Sequence, residues 1–413
     1  MRWFTATAAA ESVGDSLARS LLPIVAVAVL GAGTATVGLL NALGLLAFLV
    51  LALPVGVLAD RWSAPTRMMT LSSLVRAVVT LAGVLSWWVG WLQGPGGVVV
   101  LVLMALVVGV ADVVFTAGQG LLVPRLVPGE QIRSVFGQMQ SAAQAGAAIG
   151  PLVLSGMLLV LAAPVAWLGS AVMYLLSVLT QSRIRARLPG LSQPPRTSMW
   201  AQARAGTGEL FSHPVLARIT VANMLNNAAV MAANTLLPVI ALSRLGLTPA
   251  AYAAIGVGGA LAGIAGAMAA SGITGRIGLR ATRLLTSAGM ILGVVLVLLA
   301  GAIVLVLPGP PLLWLALQAM LAGGCTSIAM VAGSDLAPRL VSPQSLGTVM
   351  GAQRVLVLGI MPVAAVVMGL LGAAVGIPVA SCVWLALALG SAIPCFTLLD
   401  PTSSLPDAVE GRH

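Results

Sequence analysis

The sequence predicts an all-α membrane protein of twelve transmembrane helices, built as two six-helix halves that repeat one another. Three observations carry that expectation. The first is composition: of 413 residues, 59% are hydrophobic and 7% charged, whereas soluble domains are roughly a quarter charged. Such a chain cannot cover its own surface with polar groups in water, but it suits a bilayer. The second is a series of twelve apolar runs, most of them near the about 20 residues that span a hydrocarbon core. The third is an internal repeat at a nearly constant offset.

Taken in order, the runs fall near 4–30, 35–59, 67–91, 96–123, 134–161, 164–182, 215–243, 249–271, 281–307, 311–337, 346–373 and 376–399. Turn-forming residues punctuate them: Gly31-Ala-Gly33, Gly94-Pro95-Gly96, Pro308-Gly-Pro310-Pro311 and Gly376-Ile-Pro378. One segment breaks the series. It is polar, Arg-bearing and Pro-rich around Gln193-Pro194-Pro195, and reads as a linker. The expected division is an N-terminal bundle at 1–183, a linker at 184–213, a C-terminal bundle at 214–399 and a tail at 400–413.

The bundles repeat. Ser20-Leu-Leu-Pro23 returns as Thr235-Leu-Leu-Pro238, Gly31 as Gly246 and Arg61 as Arg276, each 215 residues later by subtraction. Pro124-Arg-Leu-Val127 returns as Pro338-Arg-Leu-Val341, and Val135 and Gly137 return as Val349 and Gly351, at 214. A duplicated six-helix unit is an arrangement that transporters use to place a site between their halves.

Charge orients the bundle. The net charge is +10, and all 20 basic residues are Arg. Those in loops fall on one side: Arg2, Arg61, Arg67, Arg125, Arg133, those of 183–204, Arg276, Arg280, Arg283, Arg339 and Arg412, with Arg244 alone opposite. That asymmetry follows the positive-inside rule and places both termini in the cytoplasm. Trp87, Trp88, Trp91, Trp167 and Trp314 cluster at the opposite helix ends, as an interfacial belt does. The Lys-free, Ala-, Val- and Gly-rich composition suggests a bacterial protein of the cytoplasmic membrane. The first run is long and lacks a cleavage site, so it reads as a span rather than a signal peptide.

Several function classes are excluded. Without Lys there is no Walker lysine, and no Gly-rich phosphate loop is present. His213 and His413, the two histidines, lie in the linker and at the end, so triad or metal chemistry is not expected. Cys325, Cys382 and Cys395 lie within apolar runs, too few for a disulfide framework. The protein is read as no enzyme, with no cofactor and no metal. Its expected partners are a small-molecule substrate, protons and the lipid bilayer, without nucleic acid, and it is read as a monomer.

Ionisable residues inside spans are functional candidates. Glu11, Asp15 and Arg19 in the first span fall within an arc of roughly 80°. Either acid could exchange a proton with Arg19 tuning it; a fixed Asp15–Arg19 pair is the structural alternative. Asp112, near the middle of the fourth span, is the leading proton-site candidate, or else an ion-pair partner of Arg19. Thr116 and Gln119 share its face. In the seventh span Asn223, Asn226, Asn227 and Asn234 replace charge with amides, suited either to substrate recognition or to bonding between helices. Together with Gln318 they complete the expected cavity lining. Arg76, Asp335, Arg339 and Arg354 read as gate residues: Asp335 pairing with Arg354 or Arg339, and Asp60 with Arg76 or with the start of the eleventh helix, where the dipole is positive. Few rings and many Ala, Leu, Met and Gly suit an apolar or amphipathic substrate.

Three motifs resemble one known family. Gly56-Val-Leu-Ala-Asp60-Arg61, with Arg67 after it, resembles the signature loop between the second and third helices of the major facilitator superfamily, with Ser63, Ala64 and Pro65 replacing the usual Gly and Arg. Gly150-Pro151, between Gly146 and Gly156, resembles its antiporter motif, and Pro124-Arg-Leu-Val-Pro-Gly-Glu130-Gln resembles the loop after the fourth helix in its drug- and metabolite-exporter branch, near macrolide and enterobactin exporters. The resemblance implies rocking-bundle alternating access around spans one, four, seven and ten. It also implies proton-coupled efflux of a drug, antibiotic or secondary metabolite. A siderophore or metabolite exporter, an uncoupled facilitator and a lipid flippase on the same fold are the alternatives. Asp60 then reads as a latch holding the outward-facing state, since its counterpart stretch, Gly275-Arg276-Ile-Gly278-Leu-Arg280, carries no acid.

Overall fold

A computed structural model describes residues 2–61, 65–126, 129–184, 199–300, 309–334, 336–342 and 345–398. The described residues are helical with short turns. The first half comprises α1 (Arg2–Ala28), α2 (Thr34–Arg61), α3 (Pro65–Trp88), α4 (Gly97–Leu126), α5 (Gly129–Val160) and α6 (Trp167–Gln181). A linker helix, α7 (Met199–Ser212), follows. The second half comprises α8 (Pro214–Pro238), extended by a π-helical turn at Val239–Arg244, then α9 (Pro249–Leu299), α10 (Pro311–Ala332), the short α11 (Leu336–Leu340), α12 (Leu346–Ala374) and α13 (Ile377–Phe396).

Among the described residues, eight helices are long and apolar enough to cross a membrane. One of them, α9, has 51 residues, twice the length a bilayer needs, and crosses twice. With α1, whose apolar run is interrupted by Glu11, Asp15 and Arg19, and the shorter apolar stretches Ala145–Val160 of α5 and Trp167–Gln181 of α6, the total is twelve.

The double span corrects one expectation. The sequence suggests a loop between 271 and 281, but the chain stays helical on both sides and turns at Gly278 alone (φ 79°, ψ 167°). That backbone conformation is essentially open only to glycine. The linker also gains a feature the sequence did not signal: α7 packs on α12, burying Leu210, and Ser345 Oγ donates to Glu209 Oε1 at 2.5 Å.

Each half has its own apolar core. Leu21, Leu101 and Trp167 anchor the first; Leu236, Leu315 and Trp384 anchor the second. The halves meet where α2 lies against α12 and α5 against α9. Among the described residues, hydrogen bonds join them from Thr34 Oγ1 to Gly369 O at 3.0 Å, Asn41 Nδ2 to Asn234 O at 3.2 Å and Ser155 Oγ to Ala250 O at 3.4 Å. All three lie toward the membrane face opposite the linker, here called the distal end. Backbones approach closely at this seam, since a Cβ on Gly38 would fall 2.4 Å from Ala365 O. Helices meeting through such small residues are held by packing and hydrogen bonds, because lipid gives no hydrophobic drive.

Gly38→Val should therefore prise the distal seam apart without touching any charged group. Spin labels on α2 and α12 should report a longer distal distance than in the parent protein; an unchanged distance would mean the seam does not set this conformation.

Candidate functional site

The polar centre of the first half is built by four helices. Spacing of four residues puts Glu11, Asp15 and Arg19 on one face of α1. Arg76 comes from the middle of α3, Asp112 from α4 and Tyr174 from α6. Arg76 is fully buried: its Nη1 donates to Asp15 Oδ1 at 2.8 Å, and its Nη2 lies 2.6 Å from Glu11 Oε2. The latter is a charge contact off the hydrogen-bond line, since neither atom has a hydrogen-bond partner. The guanidinium carbon also lies 5.0 Å from the Phe115 ring centre and 4.8 Å from that of Tyr174. Both rings offer the cation a polarisable contact. Tyr174 Oη donates to the same Asp15 oxygen at 2.7 Å.

These contacts correct two expectations. Arg76 is no rim latch for Asp60; it is the hub of the first half. Arg19 does not pair with Asp15 but with Asp112, Nη2 to Oδ2 at 2.5 Å, which is the alternative the sequence reading left open for Asp112. Asp112 lies 4.0 Å from Arg76 as well. The Arg19 and Asp112 side chains are 43% and 23% exposed, against 0% for Arg76 and 4% for Glu11. The first pair therefore faces a cavity, and the hub does not.

Glu11 is held by a second polar group. Ser73 Oγ contacts Glu11 Oε1, lies 3.0 Å from Met69 O and accepts from Gln181 Nε2 at 3.0 Å. A hydroxyl has one hydrogen. If Glu11 is ionised, Ser73 donates to it; if Glu11 is protonated, it can donate to Ser73, which turns its hydrogen to Met69 O. Both protonation states thus keep a hydrogen bond at this oxygen.

Two cavities adjoin the cluster and share Arg19. One, of about 370 Å³, is lined by Glu11, Ser12, Asp15, Asp112, Phe115, Thr116, Gln119 and Met139. The other, of about 460 Å³, lies between the halves and is lined by Arg19, Leu40, Asn41, Pro151, Met231, Asn234, Tyr252, Gln318 and Met361. That volume suits a drug-sized ligand in a largely apolar pocket with a few polar groups. Gln318 Oε1 is buried there without a hydrogen-bond partner.

The four asparagines of α8 separate. Asn234 lines the central cavity. Asn227 Nδ2 instead bonds Val357 O at 2.9 Å, tying α8 to α12. Asn223 Oδ1 accepts from Arg283 Nη1 at 2.8 Å, and Asn226 lines a small pocket beside Arg283. Expected as cavity lining, Asn223 and Asn227 are taken up by contacts within the second half, and Asn226 lines the small pocket instead. Arg283 is itself a correction: counted with the basic loops, it is 4% exposed inside the bundle. The one available signal was its place just within the ninth apolar run. Asn41, which joins the halves, was missed because a lone amide among apolar residues carries no pattern.

Of the gate residues, Gly150 packs on Ser16 within the first half, and Pro151 touches Gly256 of the second half. Arg67 and Arg276 are exposed. Arg354, expected near Asp335, lies with its guanidinium carbon 5.9 Å from the Phe48 ring centre across the seam. Asp335 and the side chains of Gly56, Asp60, Arg61 and Arg339 lie outside the described residues.

Comparison with known proteins accords with this architecture. A family model described as Major Facilitator Superfamily matches residues 4–357. Among solved structures, a mutant of the nucleoside transporter NupG superposes with a TM-score of 0.74 at 15% identity, over 96% of this chain and 98% of that one. A bacterial homologue of the human lysosomal transporter Spinster, inward-facing and occupied, superposes at 0.69 and 13% identity over 95% of each chain. No curated protein matches the chain as a sequence relative.

Arg76→Leu should destabilise the protein by about 3–5 kcal/mol, the usual cost of stranding buried charges by removing one partner. Adding Glu11→Gln and Asp15→Asn should recover much of the loss in a thermal-denaturation assay. No recovery would show that Arg76 acts through packing rather than charge.

Proposed function

Because the chain belongs to the Major Facilitator Superfamily, we propose that it is a proton-coupled secondary transporter that exports a small apolar or amphipathic molecule by alternating access. One observation carries the reading: a carboxylate–guanidinium cluster opens through Arg19 and Asp112 onto a cavity that adjoins the apolar chamber between the halves. An exchanger needs its proton site and substrate site to sense each other, and a shared side chain provides this directly. The Ser73 contact supports Glu11 as a second proton carrier, because either protonation state keeps its bond.

With the Arg-rich linker end in the cytoplasm of a bacterial cell, a seam joined distally corresponds to an inward-facing state. In that state the chamber collects its cargo from the cytoplasm, as export requires. The Asp60 latch belongs to the opposite state, in which the linker ends would meet. The Gly150-Pro151 step lets α5 lie on Ser16 and Gly256 at once, so that movement of one half is felt at the other. The apolar wall, with Met231 and Met361, accommodates varied shapes rather than one rigid ligand.

The experiment begins with susceptibility profiling of a deletion strain to find a transported compound, followed by flux of that compound into everted vesicles. Uptake should collapse with a protonophore; uptake that survives it would remove the coupling claim. Asp112→Asn should lower concentrative uptake by at least about tenfold while counterflow exchange persists at saturating substrate. A facilitator would show no such split.

A further inference from the structure

The charges of the first-half cluster do not balance. Glu11, Asp15 and Asp112 supply three carboxylates, and Arg19 and Arg76 two guanidinium groups. Tyr174 adds a hydroxyl that donates to Asp15. Among the described residues no further charged group enters the cluster, so with every acid ionised it stands one positive charge short. Inside a bilayer an unbalanced charge is costly, so the cluster favours neutrality.

Two things can supply the missing charge, a proton or a cationic ligand. Together they would overshoot to +1, so each excludes the other. We infer that the transported molecule is a monovalent organic cation with an apolar body, its charged nitrogen seated beside Asp112, exchanged one-for-one with a proton. This rests on the antiport reading above and adds to it the substrate class and the stoichiometry.

Geometry decides where the cation sits. Arg76 is sealed from the cavities and Glu11 nearly so, at 0% and 4% exposure, while Asp15, Asp112 and Arg19 are open to them, at 20%, 23% and 43%. Asp15 already accepts from both Arg76 and Tyr174, whereas Asp112 accepts, among the described residues, from Arg19 alone, so Asp112 is the acid a ligand can engage. The chamber around it also holds Phe115 and Met139, an aromatic ring and a thioether that suit a soft organic cation better than a hydrated metal ion. An anion fares worse. Arg19 already pairs with Asp112, and an anion bound there would leave the cluster two charges short.

The test uses the purified full chain in lipid nanodiscs and two probes of one shape and opposite charge, tetraphenylphosphonium and tetraphenylborate. Tetraphenylphosphonium should bind at least tenfold more tightly, release about one proton into weak buffer, and lose affinity as pH falls, by the reciprocity of linked binding. Asp112→Asn balances the cluster and should abolish the proton release and weaken binding at least tenfold. Arg19→Gln leaves it two charges short and should tighten cation binding, whereas loss of a merely structural residue would weaken it. Equal binding of tetraphenylborate, or cation binding without proton release, overturns the inference. Flux of a compound panel separates the two levels: ionophore-sensitive transport confined to neutral or anionic compounds sinks the cation claim and leaves antiport standing. Ionophore-insensitive transport of every compound sinks both.

Discussion

Arg76 is the group on which the first half depends. It holds Glu11 and Asp15 of α1 from α3, with Phe115 of α4 and Tyr174 of α6 stacked around it. A guanidinium can do this because its planar fork stays charged, offers several donors and stacks on rings at the same time. Four helices that lipid alone would not hold together are thereby fixed to one point. The acids are held in fixed positions relative to one another.

The second half solves the same problem differently. Its buried cation, Arg283, is bonded to the Asn223 amide rather than to an acid among the described residues, and its contacts stay inside the bundle. Titratable carboxylates inside the described spans are therefore confined to one half. The other half offers the chamber neutral groups, Asn234 and Gln318 among them. A duplicated fold has in this way divided its labour: one copy carries charge that can be neutralised, and the other carries hydrogen-bonding capacity that can recognise. The seam between them, close enough at Gly38 to exclude a methyl group, closes one face of the chamber with small residues, which can part without breaking a salt bridge.

Much of the fold was legible because lipid imposes it. A span must be long, apolar and helical, since no water reaches its backbone, so twelve runs and a repeat at offset 215 or 214 leave little choice of architecture. The one-residue turn at Gly278 was not legible, because a glycine between basic residues looks the same in a loop and in such a turn. The site was partly legible. Glu11, Asp15, Arg19 and Asp112 announced themselves as charges within apolar runs. Their pairing did not, because helical spacing relates residues on one helix and says nothing about which neighbouring helix presents a partner. Arg76 was assigned to the rim for that reason, and Asn223 and Asn227 were assigned to the cavity when they bond within their own half.

By itself, then, the sequence determined the solvent, the number of crossings, the duplication and the roster of charges available inside the membrane, all of which follow from local composition and period. Only the tertiary structure decided the hub at Arg76, the Arg19–Asp112 pair, the two cavities that share Arg19 and the unsatisfied Gln318. Those depend on how helices far apart in sequence are rotated against one another. A rotation of a few tens of degrees changes which side chain faces a partner, a cavity or lipid, and no pattern along a single helix records it.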